Sequence, residues 1–137
     1  MPRAKELNLR LEDRPGTLGK ISQALADRGM NIVAFHSFPS EGKSLVRLVV
    51  DNLATAKTVL DSQKVTYSEA EVAQVSLPNR TGELARAASR LGEANININY
   101  AYTGVDPATN KPLLFFGVND VSRAAEILDQ AAAAARG

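Results

Sequence analysis

The residues best placed to do chemistry in this chain are two short turns, Asp13-Arg14-Pro15-Gly16-Thr17-Leu18 and Asn79-Arg80-Thr81-Gly82-Glu83-Leu84, whose Arg and Gly recur at an offset of 66 positions. Each follows an alternating apolar run, Leu7/Leu9/Leu11 or Ala73/Val75/Leu77, and each opens a segment of helical spacing, Leu18/Ile21/Leu25 or Leu84/Ala87/Leu91. Both are therefore strand-to-helix turns. Asp13 and Asn79 are good N-cap residues, Pro15 suits a first helical turn, and Gly16 and Gly82 let a ligand approach the backbone. Free N–H groups at a helix start, together with the positive end of the helix dipole, can receive a carboxylate or a phosphate. For one such turn alone an ordinary capped helix start is the better explanation, because capping chemistry is common and most capped ends bind nothing; its repetition points to a binding role.

Other chemistries find little support. The 137 residues contain no cysteine and a single histidine, so thiolate catalysis, disulfides and sulfur-ligated zinc are excluded. No nucleophile elbow is present, and the scattered carboxylates form no cluster of metal-ligand spacing. His36 stands in a strand pattern beside Phe35 and Phe38, and its counterpart at the repeat offset is Tyr102, which favours packing over catalysis. The reading is of a protein that is not an enzyme and that needs no cofactor and no metal. Sixteen basic residues balance fifteen acidic ones without gathering into one patch, which speaks against nucleic acid. No stretch approaches the roughly 18 apolar residues of a membrane span, and Met1–Glu6 runs into a strand pattern with no apolar signal core. The expectation is a cytoplasmic chain with no membrane partner.

The elements that position the turns form a repeat. In the first copy a strand at Leu7–Leu11 leads to a helix from about Pro15 to Arg28, ended by Gly29 in a left-handed C-cap. Asn95 occupies the corresponding place in the second copy. Strands at Met30–Phe38 and Ser44–Asp51, joined by a hairpin at 39–43, precede a helix at Asn52–Ser62 and a short strand at Val65–Tyr67. The second copy begins with a strand at Val72–Leu77, then a helix at Gly82–Ala94, strands at Ile96–Thr103 and Leu113–Val118, and a last helix capped by Asp120. Identities at Leu11/Leu77, Leu18/Leu84, Leu25/Leu91, Asn31/Asn97 and Ile32/Ile98 support duplication. The expected fold is α+β, with two ferredoxin-like βαββαβ units in tandem, antiparallel sheets and helices on one face. The units are placed at 1–68 and 69–137, the second lacking a clear final strand. It either remains three-stranded or borrows an edge from its neighbour or from a second chain.

The strand ending in Asp-Arg-Pro-Gly-Thr-Leu, the helix after it, the Gly29-Met30-Asn31-Ile32 segment and the βαββαβ layout resemble the ACT domain, from about Leu7 to Leu128. Thr81 departs from the pattern, standing where the first copy has Pro15. The resemblance implies regulatory binding of a free amino acid or a similar small zwitterion at the interface of paired units, with homodimerisation and a partner enzyme. It also implies ligand-binding residues: Leu11, Asp13, Arg14, Pro15, Gly16, Thr17, Leu18, Asn31 and Ile32, with Leu77, Asn79, Arg80, Thr81, Gly82, Glu83, Leu84, Asn97 and Ile98 in the second copy. The rival reading is an oligomerisation or regulatory-subunit module without a ligand. An RNA-binding sheet would need exposed aromatics in a basic motif, which the third strands lack.

Overall fold

The computed structural model describes residues 3–136, which form ten elements in the order βαββαβαββα. They divide into two compact units, Lys5–Ala70 and Glu71–Gly137, the latter joined by the chain start through Ala4.

In the first unit, β1 (Arg3–Glu12), β2 (Ile32–Ser40) and β3 (Lys43–Val50) make an antiparallel sheet with β3 central. Leu9 stands opposite Val46, and Phe38 opposite Leu45. Alternation along β1 buries Leu7, Leu9 and Leu11 on the face covered by α1 (Thr17–Ala26) and α2 (Leu53–Ser62). There they meet Ile21 and Leu25 of α1, and Ala56, Val59 and Leu60 of α2, in one core. Asn52 caps α2 through its side-chain oxygen, which accepts the Thr55 N–H at 3.2 Å. The hairpin between β2 and β3 turns on Glu41 and Gly42, both at positive φ, the conformation that two-residue connections between twisted strands require.

The second unit repeats this plan with β4 (Thr66–Ser76), α3 (Glu83–Glu93), β5 (Ile98–Val105), β6 (Pro112–Val118) and α4 (Val121–Arg136). Here β6 is central, Val75 faces Leu114, and Tyr102 faces Phe115. Ala73, Val75, Leu77, Leu114 and Phe116 pack against Ala87 and Leu91 of α3 and Ala124 and Leu128 of α4. The Phe115 ring lies instead on Tyr102, centroids 5.3 Å apart. Asp120 caps α4, its carboxylate accepting the Arg123 N–H at 3.1 Å.

Both leading helices end as the sequence predicts. Gly29 has φ 74° and Asn95 φ 61°. The Met30 N–H reaches Leu25 O at 3.1 Å and the Ile96 N–H reaches Leu91 O at 2.9 Å, the six-to-one bond of a Schellman motif.

Three expectations need correction. The helices begin at Thr17 and Glu83 and not at Pro15 and Gly82; Gly16 and Gly82 are the N-caps, and Asp13 and Asn79 cap nothing. One further turn intervenes, in which the Thr17 N–H points to Arg14 O and the Glu83 N–H to Arg80 O, each at 3.4 Å. The expected strand at Val65–Tyr67 and the next at Val72–Leu77 are one continuous strand, β4, which runs on through the mostly exposed Ser68–Glu71. Its first five residues belong to the first unit and its remainder opens the second. Leu84 is not a core residue: it is 56% exposed, and Glu83 is turned inward beside it. The alternatives left open for the second unit narrow to a borrowed edge, since Arg3 and Ala4 join it. The Gln74 amide donates to Arg3 O at 3.3 Å, and the Arg3 guanidinium bridges Glu71 at 3.0 Å and the Ser122 hydroxyl at 2.9 Å.

Candidate functional site

The two turns share an unusual helix start. Gly16 has φ 91° and ψ −14°, Gly82 has φ 90° and ψ −4°, and no side chain caps either helix. Most helix starts borrow a Ser, Thr, Asp or Asn oxygen for the first free N–H groups. Here a left-handed glycine turns the chain into the helix; the first N–H points to Arg14 O or Arg80 O, and those that follow are left without a side-chain cap at the positive end of the dipole. In the first copy the Thr17 hydroxyl points back, 2.9 Å from Glu12 O and 3.1 Å from Arg14 O.

A cavity lies beside each start. The first, of about 210 Å³, is lined by Leu11, Arg14 and Thr17 and by residues beyond α2, Gln63–Val65. The second, of about 300 Å³, is lined by Leu77, Arg80 and Glu83 and by Ala131, Ala134 and Ala135 of α4. Leu11/Leu77 and Arg14/Arg80 thus recur in equivalent places. The structure also brings in residues that the motif did not mark: Arg10, Lys20 and Lys64 in the first cavity, Arg86 and Arg90 in the second. Lys20 and Arg86 were legible in principle, since they lie one helical turn beyond positions 17 and 83. Lys64 was not, because only the return of α2 places it there.

The remaining candidates stand apart from the cavities. Asp13, Pro15, Asn79 and Thr81 are exposed on the turns, and Leu18 packs against the core. Asn31 and Asn97 are exposed, whereas Ile32 and Ile98 pack against their own cores. The Asn31 backbone is tied to Asp51 in both directions, at 3.0 and 3.2 Å. The Asn97 side chain heads a chain of amides, donating to Asn99, which donates to Asn119, each at 3.1 Å.

The copies differ most in charge. Glu83 is 5% exposed and accepts from Arg80 at 3.3 Å and from Arg86 at closer range. The Arg86 hydrogen bond, against some desolvation and aided by the charges of Arg86 and Arg80, holds its carboxyl below the usual range. Arg80 also donates to Ala135 O at 3.1 Å, so the turn is fastened to α4. In the first copy the aligned residue is Thr17, and Arg14 pairs with Glu12 at 2.8 Å outside the helix.

His36 lies against Phe38, ring centroids 5.1 Å apart, and opposite Arg47 in the β2–β3 register. Among the described residues no group of three His, Asp or Glu side chains could hold a metal ion, and no helix is long and apolar enough to cross a membrane.

A family model for the ACT domain matches residues 5–64 and again 72–136. The chain belongs to the ACT domain family. The family is one of regulatory, ligand-binding domains, and this chain carries two. No curated protein sequence matches it significantly. Among solved structures it is similar to protein BT0572 from Bacteroides thetaiotaomicron, with TM-score 0.81 and 23% identity over 93% of this chain and 88% of that one. It is also similar to the ligand-free regulatory subunit of aspartate kinase from Thermus thermophilus, with TM-score 0.63 and 18% identity over 95% and 92% of the two chains. The regulatory subunit of aspartate kinase from Thermus flavus gives 0.58 and 18% over 96% and 93%. At such identities the likeness speaks for the tandem ACT fold.

Proposed function

We propose that this chain is a regulatory protein whose ligand is a free amino acid or a similar small zwitterion, held at the uncapped helix starts of its ACT units. The observation that carries this reading is the pair of left-handed glycines, Gly16 and Gly82, each opening a helix that no side chain caps beside a cavity. The ligand carboxylate meets backbone N–H groups at the helix start. An anion at an exposed helix end gains only about 0.3–1 kcal/mol, whereas micromolar affinity takes about 8 kcal/mol. Enclosure must supply the rest, so the reading includes pairing with a second copy of the chain, which excludes water from the site.

Ligand-dependent pairing would then report amino-acid supply to a partner enzyme, because a ligand shifts a population only through differential affinity for two states. The aspartate kinase regulatory subunits among the similar structures make an enzyme of amino-acid metabolism a reasonable partner class. The second reading, a regulatory-subunit module without a ligand, draws on one observation: Glu83 already satisfies Arg80 and Arg86 in the second copy.

A thermal-shift screen of the twenty amino acids separates the two. A ligand selective for the folded chain at about a hundred times its Kd adds roughly 2.7 kcal/mol and raises the melting temperature. Melting curves unmoved by all twenty would leave the ligand-free module as the better account.

A further inference from the structure

The two cavities occupy equivalent places in the two copies. The repeat offset equates Leu11, Arg14, Thr17 and Lys20 with Leu77, Arg80, Glu83 and Arg86. In the second copy a carboxylate from the chain itself, that of Glu83, is buried in the cavity and held by both arginines. In the first copy Arg14 and Lys20 line the cavity while the carboxylate is missing, since residue 17 is threonine and its hydroxyl is turned back to the backbone. Four cations, Arg10, Arg14, Lys20 and Lys64, line that cavity against one carboxylate, Glu12, which is already paired with Arg14. Among the described residues Arg10, Lys20 and Lys64 have no ion-pair or side-chain hydrogen-bond partner.

We infer that the first cavity takes a small dicarboxylate, one ligand carboxylate standing where Glu83 stands in the second copy, and that the second cavity is closed to it by Glu83. This rests on the reading of the turns as ligand sites and narrows it: the preferred zwitterion is an acidic amino acid, bound once per chain. Two acid groups suit the site because one can face the free N–H groups of α1 while the other meets the Lys20 and Lys64 ammonium groups. Glu83 has the same geometry in miniature, an anion at a helix start with two guanidinium groups around it. Arg86 takes the place of Lys20, so the second copy has the planar, multidentate donor suited to a fixed carboxylate, and the first a flexible point charge suited to an exchanging one.

Isothermal titration of the 137-residue chain with L-aspartate, succinate, L-asparagine and inorganic phosphate tests this. Aspartate and succinate are expected to bind at one site per chain, and asparagine, nearly isosteric but neutral at its side chain, at least about tenfold more weakly, the value of one charge-assisted hydrogen bond. Thr17→Glu supplies the first copy with its own carboxylate and should weaken aspartate by about tenfold or more. Lys20→Glu, on an exposed part of α1, keeps the Thr17 hydroxyl bonds and should weaken aspartate similarly. Glu83→Thr should raise the stoichiometry towards two. Asparagine binding as tightly as aspartate, phosphate binding more tightly than succinate, or aspartate unaffected by Lys20→Glu would each overturn the inference while leaving the proposed function standing. Failure of every amino acid to bind the unaltered chain would instead remove the reading beneath it.

Discussion

Replacement of Gly16 separates the two jobs that the turn performs. The residue sits at φ 91°, and a Cβ built on it would meet no atom within 4 Å. The cost of a side chain is therefore a backbone cost with no steric clash behind it. An L-residue in the left-handed region loses about 1–2 kcal/mol, and a β-branched one falls towards the upper end of the roughly 1–3 kcal/mol seen for strained backbones. Valine should thus destabilise by about 2 kcal/mol or more, whereas asparagine, which visits this region routinely, should lose no more than about 1 kcal/mol. With an unfolding entropy of about 2.1 cal/mol/K per residue, each kcal/mol lowers the melting temperature by about 7 °C if the unit of 5–70 melts alone, or by about 3–4 °C if the whole chain melts together. Calorimetry on Gly16→Asn and Gly16→Val measures this directly. Gly16→Asn is then the informative variant for binding, because it adds bulk at the helix start in a chain that is still folded at room temperature. Its amino-acid affinity should fall at least about tenfold. Equal stability of the Val and Asn variants would refute the backbone argument, and unaltered binding by a folded Gly16→Asn chain would show that the turn is not the site.

Two further outcomes follow from the second unit. A Cβ on Gly117 would lie 2.3 Å from the Tyr100 ring directly across the β5–β6 ladder, so Gly117→Ala should cost about 1–3 kcal/mol by overpacking; the double variant with Tyr100→Ala should recover part of it in denaturant melts, and strict additivity of the two changes would contradict the contact. Glu83 has its carboxyl depressed by Arg86 and Arg80, so it contributes stability that is complete above the ordinary carboxyl value of 4.5 and is lost as pH falls through the lower folded-state value; Glu83→Gln should flatten that acid limb of the melting temperature, and an unchanged limb would place the titration elsewhere.

How much of this was legible in the sequence depends on whether the cause is local. The Gly29 and Asn95 endings, the Asp120 cap and the alternation of Leu7, Leu9 and Leu11 are set by residues within a few positions of one another, and they stand as read. The helix starts misled because Asp13 and Pro15 are good residues for a cap and a first turn in isolation. Gly16, which alone tolerates φ 91°, decides where the helix begins, and a glycine's preference for positive φ leaves no periodicity to detect. The break foreseen between Tyr67 and Val72 followed from a polar run that is in fact an exposed stretch of strand. The edge formed by Arg3 and Ala4 depends on partners 68 to 119 positions away, Glu71 and Ser122, which no local pattern announces.

The same distinction explains why the motif marked only half of each cavity. Arg14 and Arg80 belong to the turn and could be named from it. Lys64 and Ala135 reach the cavities only because α2 and α4 return alongside the leading helices, so the far wall is a product of tertiary packing. Duplication gives that wall its meaning. Two copies of one ancestral turn keep the same leucine and arginine, but a carboxylate at residue 83 meets Arg86, and a hydroxyl at residue 17 leaves Lys20 without a partner among the described residues. Glu83 is buried, whereas the Arg80 and Arg86 side chains are more than half exposed, so what holds this carboxylate in place is the loss of two charge-assisted hydrogen bonds that turning it out would bring. In the proposed reading a ligand acid competes with Glu83 for those donors in the second copy and meets no such rival at Lys20 in the first. Two positions thus carry the proposal: threonine for glutamate at residue 17 and lysine for arginine at residue 20 would leave the first copy open to a ligand acid that the second copy replaces with its own side chain.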